Sequence, residues 1–345
     1  MESMIQSVTT EPAPGSHAEV SARSLAPVFV VGCGRSGTTL LYHMLLSAGN
    51  FAVYRVESNV INLLEPRFGD LSVAGNKRRL LQAWYNSRLF TLSGLDKDEI
   101  AAKVMSECRN GGDFLRIIMS EMARKQGVQR WADTTPEHLL HLHRIKETIP
   151  EALIIHIIRD GRDVALSTDK QGYIRRLPWD RTPSKMVAGL YWEWMVKKGR
   201  RDGRDLADDY TEVHFEELVS QPRKTLARLG RFIGQDMDYD QILKAGIGSV
   251  SAPNSSFEDS QENFNPTGRW RTSYSPEELA MFEGLVGRTL EENGYELATK
   301  DPEALNRPDL RRMRAMYQRY FDAKLYLKAN TPLGRLLVTR DLSWI

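Results

Sequence analysis

The chain has 345 residues, of which 41% are hydrophobic and 27% charged, a composition that suits a soluble globular protein with one main core. Its 47 Lys and Arg and 45 Asp and Glu leave a formal net charge of +2, which argues against a nucleic-acid binder that relies on bulk positive charge. Two cysteines, Cys33 and Cys108, are too few for a disulfide framework and do not read as a metal ligand set, so we expect a reducing compartment.

The chain divides into three predicted parts. Residues 1–24 contain acids and prolines but no apolar run, so they are expected to be a disordered leader and not a signal peptide or anchor. Residues 25–300 are the predicted catalytic domain, and residues 301–345 a helical C-terminal extension. No segment approaches the ~20 uninterrupted apolar residues of a spanning helix.

The first predicted elements surround a glycine-rich loop. Residues 27–31 (PVFVV) are a short β-branched and aromatic run, so they predict a strand that ends at Gly32. A helix follows the loop, with apolar residues at helical spacing from Leu40 to Leu45. Residues 51–56 predict a second short strand with Glu57 at its C-terminal end, and residues 59–126 predict helices that cover the sheet.

The strongest strand signal is ALIIHII, residues 152–158, because nearly continuous apolar residues are typical of a parallel strand buried on both faces. It ends at Arg159-Asp160-Gly161, and a helix is expected from Val164. Residues 171–182 are a polar, aromatic-punctuated loop and a candidate lid, which leads to a helix around residues 188–198.

The remaining elements complete an α/β pattern. We predict a strand at residues 212–215, a helix at 217–233 closed by Gly234, and a loop at 254–267. Ser275 followed by Pro276 and two acids predicts a capped helix towards Gly294. Residues 310–328 predict a partly amphipathic basic helix, for which packing on the same subunit is favoured over a membrane-surface or dimer role.

The loop from Gly32 to Thr39 is a predicted anion cradle. Its glycines allow a tight turn that points successive N–H groups inward, and the following helix adds its positive end. The spacing of Gly32 and Gly37 matches the Walker A frame, but Thr38 stands where that frame has its lysine. Arg35 supplies a cation instead, as a planar donor suited to a phosphosulfate edge. The simpler alternative is a glycine-rich turn that binds nothing.

These segments resemble the PAPS-dependent sulfotransferases, in particular the bacterial and tyrosyl-protein branches with an R-S-G-T-T core. VFVVGCGRSGTTLL looks like the family's 5′-phosphosulfate loop, and IIRDGRDVALS at residues 157–167 resembles its 3′-phosphate segment. FEELVSQPRKTLARLGRFIG, from Phe215, is similar to a later strand-loop-helix, and GRWR, from Gly268, to the segment that closes over the donor. The likeness spans about residues 28 to 297. It implies a single P-loop-like α/β domain, with a central parallel sheet flanked by helices, that uses PAPS as cosubstrate and no metal.

The resemblance assigns donor-binding roles residue by residue. It implies that the 5′-phosphosulfate is bound by Arg35, Ser36, Gly37, Thr38 and Thr39. It implies that the 3′-phosphate is bound by Arg159 and Ser167, and that the closing segment contributes Gly268 and Arg269 to donor binding. Read without the family, Arg159 would form a salt bridge to Asp160 or Asp163, and Ser167 would be a neutral helix residue.

Sulfuryl transfer to a hydroxyl or amine should resemble phosphoryl transfer, with in-line attack and negative charge growing on the leaving phosphate oxygen. Arg35 is the candidate that stabilises this charge, and Glu57 the candidate general base, against the alternative of a solvated glutamate. Relatives often carry a lysine in a D-K-T-P stretch, where this chain has Thr134. Arg35 would then act alone, Lys170 or Arg175 would reach in from the candidate lid, or the enzyme would be slow.

Other chemistry-bearing residues have simpler explanations. Three histidines, His138, His141 and His143, lack a partner set for a metal and are expected on a helix face, which Asp133 and Glu137 would cap. The tryptophans Trp192 and Trp194 suit core packing more than adenine stacking.

The sequence leaves three classes of function and several partners open. A P-loop kinase or NTPase that uses ATP and magnesium is the runner-up to the sulfotransferase, and a noncatalytic PAP-binding scaffold is the third. The acceptor would be a small or lipid-linked molecule and not nucleic acid, and peripheral membrane contact and a homodimer both stay open. The missing anchor favours a cytoplasmic enzyme.

Overall fold

A four-stranded parallel sheet in the order β2-β1-β3-β4 forms the centre of the computed structural model, which describes residues 22–172, 174, 176–247 and 265–333. The strands are β1 Val28–Gly32, β2 Ala132–Asp133, β3 Leu153–Ile158 and β4 Tyr210–His214. Every residue of β1 and β3 is buried, as expected of central parallel strands with both faces covered. Their register runs from Val28 beside Leu153 to Gly32 beside Ile157.

Helices cover both faces of the sheet. Before β3 they are α1 Thr38–Ser47, α2 Glu65–Phe68, α3 Ala74–Tyr85, α4 Arg88–Ser93, α5 Lys97–Glu107, α6 Gly111–Lys125 and α7 Leu142–Thr148, with a π-helical turn at Val60–Leu64 and a 3₁₀ helix at Pro136–His141. After β3 they are α8 Gly161–Gln171, α9 Ser184–Arg204, α10 Phe215–Ser220, α11 Pro222–Ile233, α12 Tyr239–Ala245, α13 Trp270–Ser273, α14 Pro276–Glu292, α15 Pro302–Leu305 and α16 Pro308–Asn330, with a 3₁₀ turn at Ala207–Asp209.

The alternation of side chains along the strands divides the core into two layers. Phe29 and Val31 face one apolar cluster, while Val28 and Val30 face the other, because successive side chains of a strand point to opposite faces. The α/β class and the central parallel sheet flanked by helices are therefore confirmed. The capped helix predicted after Ser275 is confirmed too, including a reciprocal capping box between Ser275 and Glu278.

Two predicted elements were wrong. Residues 51–56 form no strand, because only Phe51 makes a bridge, to Arg130, and the following residues pair with nothing in the sheet. The strand that lies beside β1 is β2, which has only two residues and gave no periodic signal. The single helix predicted at 217–233 is two helices, because the chain breaks at Gln221 before Pro222.

The predicted leader and the loop predicted at residues 254–267 are described only in part. Residues 1–21 and the segment 248–264, which contains most of the loop predicted at 254–267, lie outside the described residues. Arg23, inside the predicted leader, donates to the Phe232 carbonyl at 3.1 Å and lies over the Phe232 ring.

The C-terminal helix α16 packs on the body of the same chain, as predicted. Leu310, Tyr317 and Phe321 join the main apolar cluster. The fully buried carboxylate of Glu193, on α9, accepts hydrogen bonds from Arg314 at 2.6 and 2.7 Å. It also accepts from Thr289 on α14, so this one carboxylate connects three helices. Within the described residues, no helix combines the length and apolarity that crossing a bilayer would require.

The Glu193 cluster predicts a large stability effect. Glu193→Gln keeps the shape but removes the charge that compensates Arg314, so the free energy of unfolding should fall by about 3 kcal/mol in urea denaturation. The control is Arg288→Gln, which breaks an exposed pair with Glu292 and should change stability by no more than about 0.5 kcal/mol. Equal effects of the two changes would contradict a structural role for the cluster.

Candidate functional site

The carboxyl ends of β1, β2 and β3 meet at one edge of the sheet, because the three strands are parallel neighbours. In open α/β sheets, ligands bind at this edge. The loop after β1 carries Arg35 and Ser36, the turn after β2 begins with Thr134, and Arg159 directly follows β3. The fold thus brings together residues that are up to 124 positions apart.

The glycine-rich loop has the shape of an anion cradle. Gly37, the N-cap of α1, has φ 99°, and Arg35 also lies in the left-handed region with φ 73°. A Cβ on Gly37 would lie 2.4 Å from the Phe215 ring, and one on Gly32 would lie 2.5 Å from the Ile157 carbonyl oxygen. Only glycine fits at both places, so the loop turns sharply into the positive end of α1.

The two predicted phosphate motifs contact each other directly. Arg35 Nε donates to Ser167 Oγ at 2.8 Å, across 132 residues of sequence. Arg159 Nη1 donates to the Arg35 carbonyl oxygen at 3.0 Å, and the Arg159 guanidinium lies 4.5 Å from the centre of the Phe215 ring. Phe215, the first residue of the F-E-E-L segment, therefore lies between Gly37 and Arg159 and holds both.

Arg159 makes no salt bridge with Asp160 or Asp163, the acids beside it in the sequence. Asp160 pairs with Arg162 at 2.8 Å, and Asp163 accepts from backbone N–H groups instead. Burial lowers the pKa of Arg159, and the nearby charge of Arg35 lowers it further, against the raising effect of the acids. An anion placed between the two guanidiniums would relieve this repulsion.

The G-R-W-R segment closes on the same corner of the site. Asp163 on α8 accepts from the N–H groups of Gly268 and Trp270 at 2.8 and 2.9 Å. Arg159 also donates to the Pro266 carbonyl oxygen. These bonds hold the segment that contains Arg269, which is half-buried and is the N-cap of α13.

Three buried polar atoms at this edge have no hydrogen-bond partner among the described residues. They are Ser36 Oγ, Thr134 Oγ1 and Arg159 Nε, one after each of β1, β2 and β3. A buried polar group without a partner costs free energy, so a bound group should satisfy these atoms. Two hydroxyls and a guanidinium N–H fit an oxyanion.

Both ring nitrogens of His138 make hydrogen bonds inside the protein. His138 Nε2 accepts from the Ile61 N–H at 3.3 Å, so His138 Nδ1 carries the proton and donates to Asp133 at 2.8 Å. Burial by itself raises the pKa of Asp133, but the hydrogen bonds from His138, Ser58 and the Thr135 N–H outweigh it and lower the pKa. Asp133 thus orders its own turn. In the described part of the chain, no three His, Cys, Asp or Glu side chains gather as a metal site.

Glu57 lies in an irregular segment before the π-helical turn and not at a strand end, because the strand predicted to precede it does not form. Its side chain is exposed. The next residue, Ser58, has its hydroxyl 3.4 Å from that of Thr135, and the Asn59 N–H donates to the same Thr135 hydroxyl at 3.1 Å. Glu57 is therefore held beside the D-T-T-P segment at the site edge.

The other predicted participants divide into core and surface. Trp192 is fully buried and donates to the Arg159 carbonyl at 3.0 Å, so its role is packing. Lys170 is exposed on the last turn of α8, three residues after Ser167 and thus on the same face. Arg175 lies outside the described residues.

One cavity was missed by the sequence analysis. It lies between α9, α16 and the 3₁₀ helix, and Glu137 forms part of its wall together with aromatic residues. Glu137 was predicted as a helix cap, but it accepts from Asn62 Nδ2 at 3.2 Å and its carboxylate is 3.6 Å from Lys328. The position of Glu137 directly after D-T-T-P was the one sequence signal for this cavity. No sequence signal indicated that residues of α16 would form part of its wall.

A model of the sulfotransferase family matches residues 27–239 of the chain. Solved structures share its fold, among them two sulfotransferase domains. The sulfotransferase domain of the Synechococcus PCC 7002 olefin synthase is 20% identical, with 79% of this chain and 95% of that chain covered and a TM-score of 0.51. The sulfotransferase domain from the curacin biosynthetic pathway is 16% identical, with 79% and 98% covered and a TM-score of 0.52. No curated protein matches the sequence.

The glycine geometry predicts that Gly37→Ala destabilises the protein. The added methyl meets the Phe215 ring at a backbone angle that alanine avoids, so the free energy of unfolding should fall by about 2 kcal/mol or more. Gly34→Ala is the matched control in the same loop, because no atom lies within 4 Å of its Cβ, and it should cost less than about 1 kcal/mol. Urea denaturation of both variants measures the difference, and equal losses would refute the proposed packing constraint.

Proposed function

Because the chain belongs to the sulfotransferase family and is a PAPS-dependent enzyme, we propose that it transfers the sulfuryl group to a hydroxyl of a small-molecule acceptor by in-line displacement. PAP is the other product. An amine acceptor would follow the same course. The observation that carries the assignment of residues is the Arg35–Ser167 hydrogen bond, together with the Arg159 bond to the Arg35 carbonyl. These bonds join the two phosphate motifs into one polar wall.

The donor's two acid ends would bind to the two halves of this wall. The phosphosulfate end is assigned to the loop, through Arg35, Ser36 and the N–H groups from Gly37 to Thr39. The 3′-phosphate is assigned to Arg159 and Ser167, with Gly268 and Arg269 as the closing segment. The orphaned Ser36 Oγ and Arg159 Nε support this division, since each half has one buried donor that a ligand would satisfy.

In the transfer step, the acceptor oxygen forms a bond to sulfur as the bond from sulfur to the phosphate oxygen breaks. Negative charge grows on the phosphate oxygen, so preorganised donors at that position accelerate the reaction. Arg35 and the loop N–H groups are proposed to act there. Thr134 stands where relatives carry a lysine, and its buried hydroxyl offers a neutral hydrogen bond in place of a charge. Lys170 is the second cation proposed to reach the donor.

Glu57 is proposed as the base that takes the acceptor's proton. Its support is its location, since Ser58 and Asn59 bind the Thr135 hydroxyl and hold the segment at the carboxyl edge of the sheet. Its exposed carboxylate can also approach an acceptor without a rearrangement of the core.

The kinase alternative is disfavoured by the loop itself. Thr38 is buried against Gly32, and its methyl lies 3.5 Å from where a Cβ of Gly32 would be. The position that holds the triphosphate-binding lysine of a Walker A loop therefore carries a short side chain that cannot reach a γ-phosphate.

Nucleotide binding tests the donor assignment. In isothermal titration, PAP should bind without magnesium, and ATP with magnesium should not displace it. Arg35→Ala should lower the turnover of PAPS by roughly 10²–10³-fold, because one preorganised donor to the developing charge is lost. Arg288→Ala, on an exposed pair far from the loop in sequence, is the control and should leave both quantities unchanged.

Three results would contradict the proposed function or its residue assignment. ATP binding that requires magnesium, without PAP binding, would favour a kinase or NTPase. Turnover near the wild-type value in Arg35→Ala would remove Arg35 from the transfer step. PAP binding without turnover on any acceptor would instead support the noncatalytic scaffold.

The base assignment predicts a separation of binding from chemistry. Glu57→Gln should leave the Kd of PAP unchanged and lower kcat by about 10²-fold or more, because the amide cannot take a proton. Glu217→Gln, an exposed acid on α10, is the matched control. An unchanged kcat in Glu57→Gln would exclude Glu57 as the base.

A further inference from the structure

The cavity between α9, α16 and the 3₁₀ helix has a volume of about 400 Å³. Its walls are mainly apolar, with the aromatic rings of Tyr191, Trp194, Tyr320 and Phe321. The rings of Tyr191 and Phe321 meet edge to face, with their centres 5.4 Å apart. A volume at the small end of ligand pockets, with aromatic walls, suits a compact molecule with a flat apolar body.

The elements that form this cavity also form the donor site. Glu137 follows Thr134 by three residues, in the 3₁₀ helix that begins after β2. Tyr191 precedes Trp192, whose indole N–H binds the Arg159 carbonyl. Ile174, another wall residue, follows Ser167 by seven positions, beyond the end of α8. Burial raises the pKa of the Cys33 thiol, which lies inside the glycine-rich loop, to about 12, and the negative charge of Glu137 adds to this rise. Glu137 therefore lies close enough to the loop for its charge to act there.

The polar part of the cavity contains a partly prepared hydrogen-bond site. Glu137 accepts from Asn62 Nδ2 and lies 3.6 Å from Lys328, and a carboxylate can accept further bonds. Asn62 is 2% exposed and is not one of the wall residues, so it holds the Glu137 carboxylate in place and does not line the cavity. A hydroxyl brought to this carboxylate would find an acceptor for its proton.

We propose that this cavity is the acceptor site, and that it selects a small hydroxyl compound with a flat, apolar body. The proposal rests on the proposed function, since it takes the donor to lie at the glycine-rich loop. Half of the wall, namely Tyr320, Phe321, Lys324, Leu325 and Lys328, belongs to α16. The family match ends at residue 239, so this half of the wall lies outside the matched region, and the other half lies inside it.

The test fills the cavity from α16. Leu325→Trp adds bulk at a half-buried wall position, whereas Leu327→Trp places the same ring on the same helix outside the wall. The acceptor probe is 2-naphthol, assayed with saturating PAPS, and PAP binding is titrated for each variant. We expect wild type to sulfate 2-naphthol, and Leu325→Trp to raise its KM by about tenfold or more, with the Kd of PAP unchanged. Leu327→Trp should match wild type in both.

The outcomes separate the two hypotheses. If the wild-type protein does not bind PAP, both the proposed function and this inference are overturned. Normal PAP binding with equal 2-naphthol kinetics in the two tryptophan variants would overturn the acceptor site alone. Sulfation of glucose or of a tyrosine peptide, but not of 2-naphthol, would overturn the acceptor class. If Leu325→Trp does not fold, Leu140→Trp fills the same cavity from the 3₁₀ helix and should give the same rise in KM.

Discussion

The structure depends on the parallel pairing of β1 with β3. Both strands are fully buried, so their register is held by apolar residues on both faces. This pairing brings the loop after β1 to the residue that follows β3, where Arg159 donates to the Arg35 carbonyl. The left-handed backbone of Arg35 and Gly37 is supported by the same contact and by the Phe215 ring. A shift in register would separate the two phosphate motifs.

The proposed acceptor site is arranged differently, because half of its wall comes from α16 near the end of the described chain. The buried carboxylate of Glu193 binds Arg314, and α16 is thereby held against α9 and α14. Tyr320 and Phe321 then complete a cavity that begins at Glu137, next to the D-T-T-P segment. The proposed donor site is therefore built from strand ends and the proposed acceptor site from helix faces. Backbone geometry constrains strand ends tightly, whereas the side chains of a helix face can change with little effect on the fold.

Sequence reasoning worked where the signal is local. The apolar runs of β1 and β3, the glycine spacing and the Ser275 capping box each follow from neighbouring residues, and all were predicted. Prediction failed where a partner decides the structure. Residues 51–56 have strand-like composition but no strand beside them beyond one bridge, and β2 exists only because β1 lies alongside it. The exposed place of Glu57 follows from the same failure.

The sequence by itself determined the fold class, the glycine-rich loop and the buried strand that ends at Arg159, because each is encoded in a short continuous segment. Only the tertiary structure decided that Arg35 donates to Ser167 and that Asp160 pairs with Arg162 and not with Arg159. It also decided that three buried polar atoms without a hydrogen-bond partner among the described residues lie at one edge of the sheet. It also decided that α16 supplies half of the aromatic cavity. The Arg35–Ser167 bond and the Tyr191–Phe321 contact each join residues more than a hundred positions apart, and such pairings arise from packing, which leaves no periodic trace in the chain.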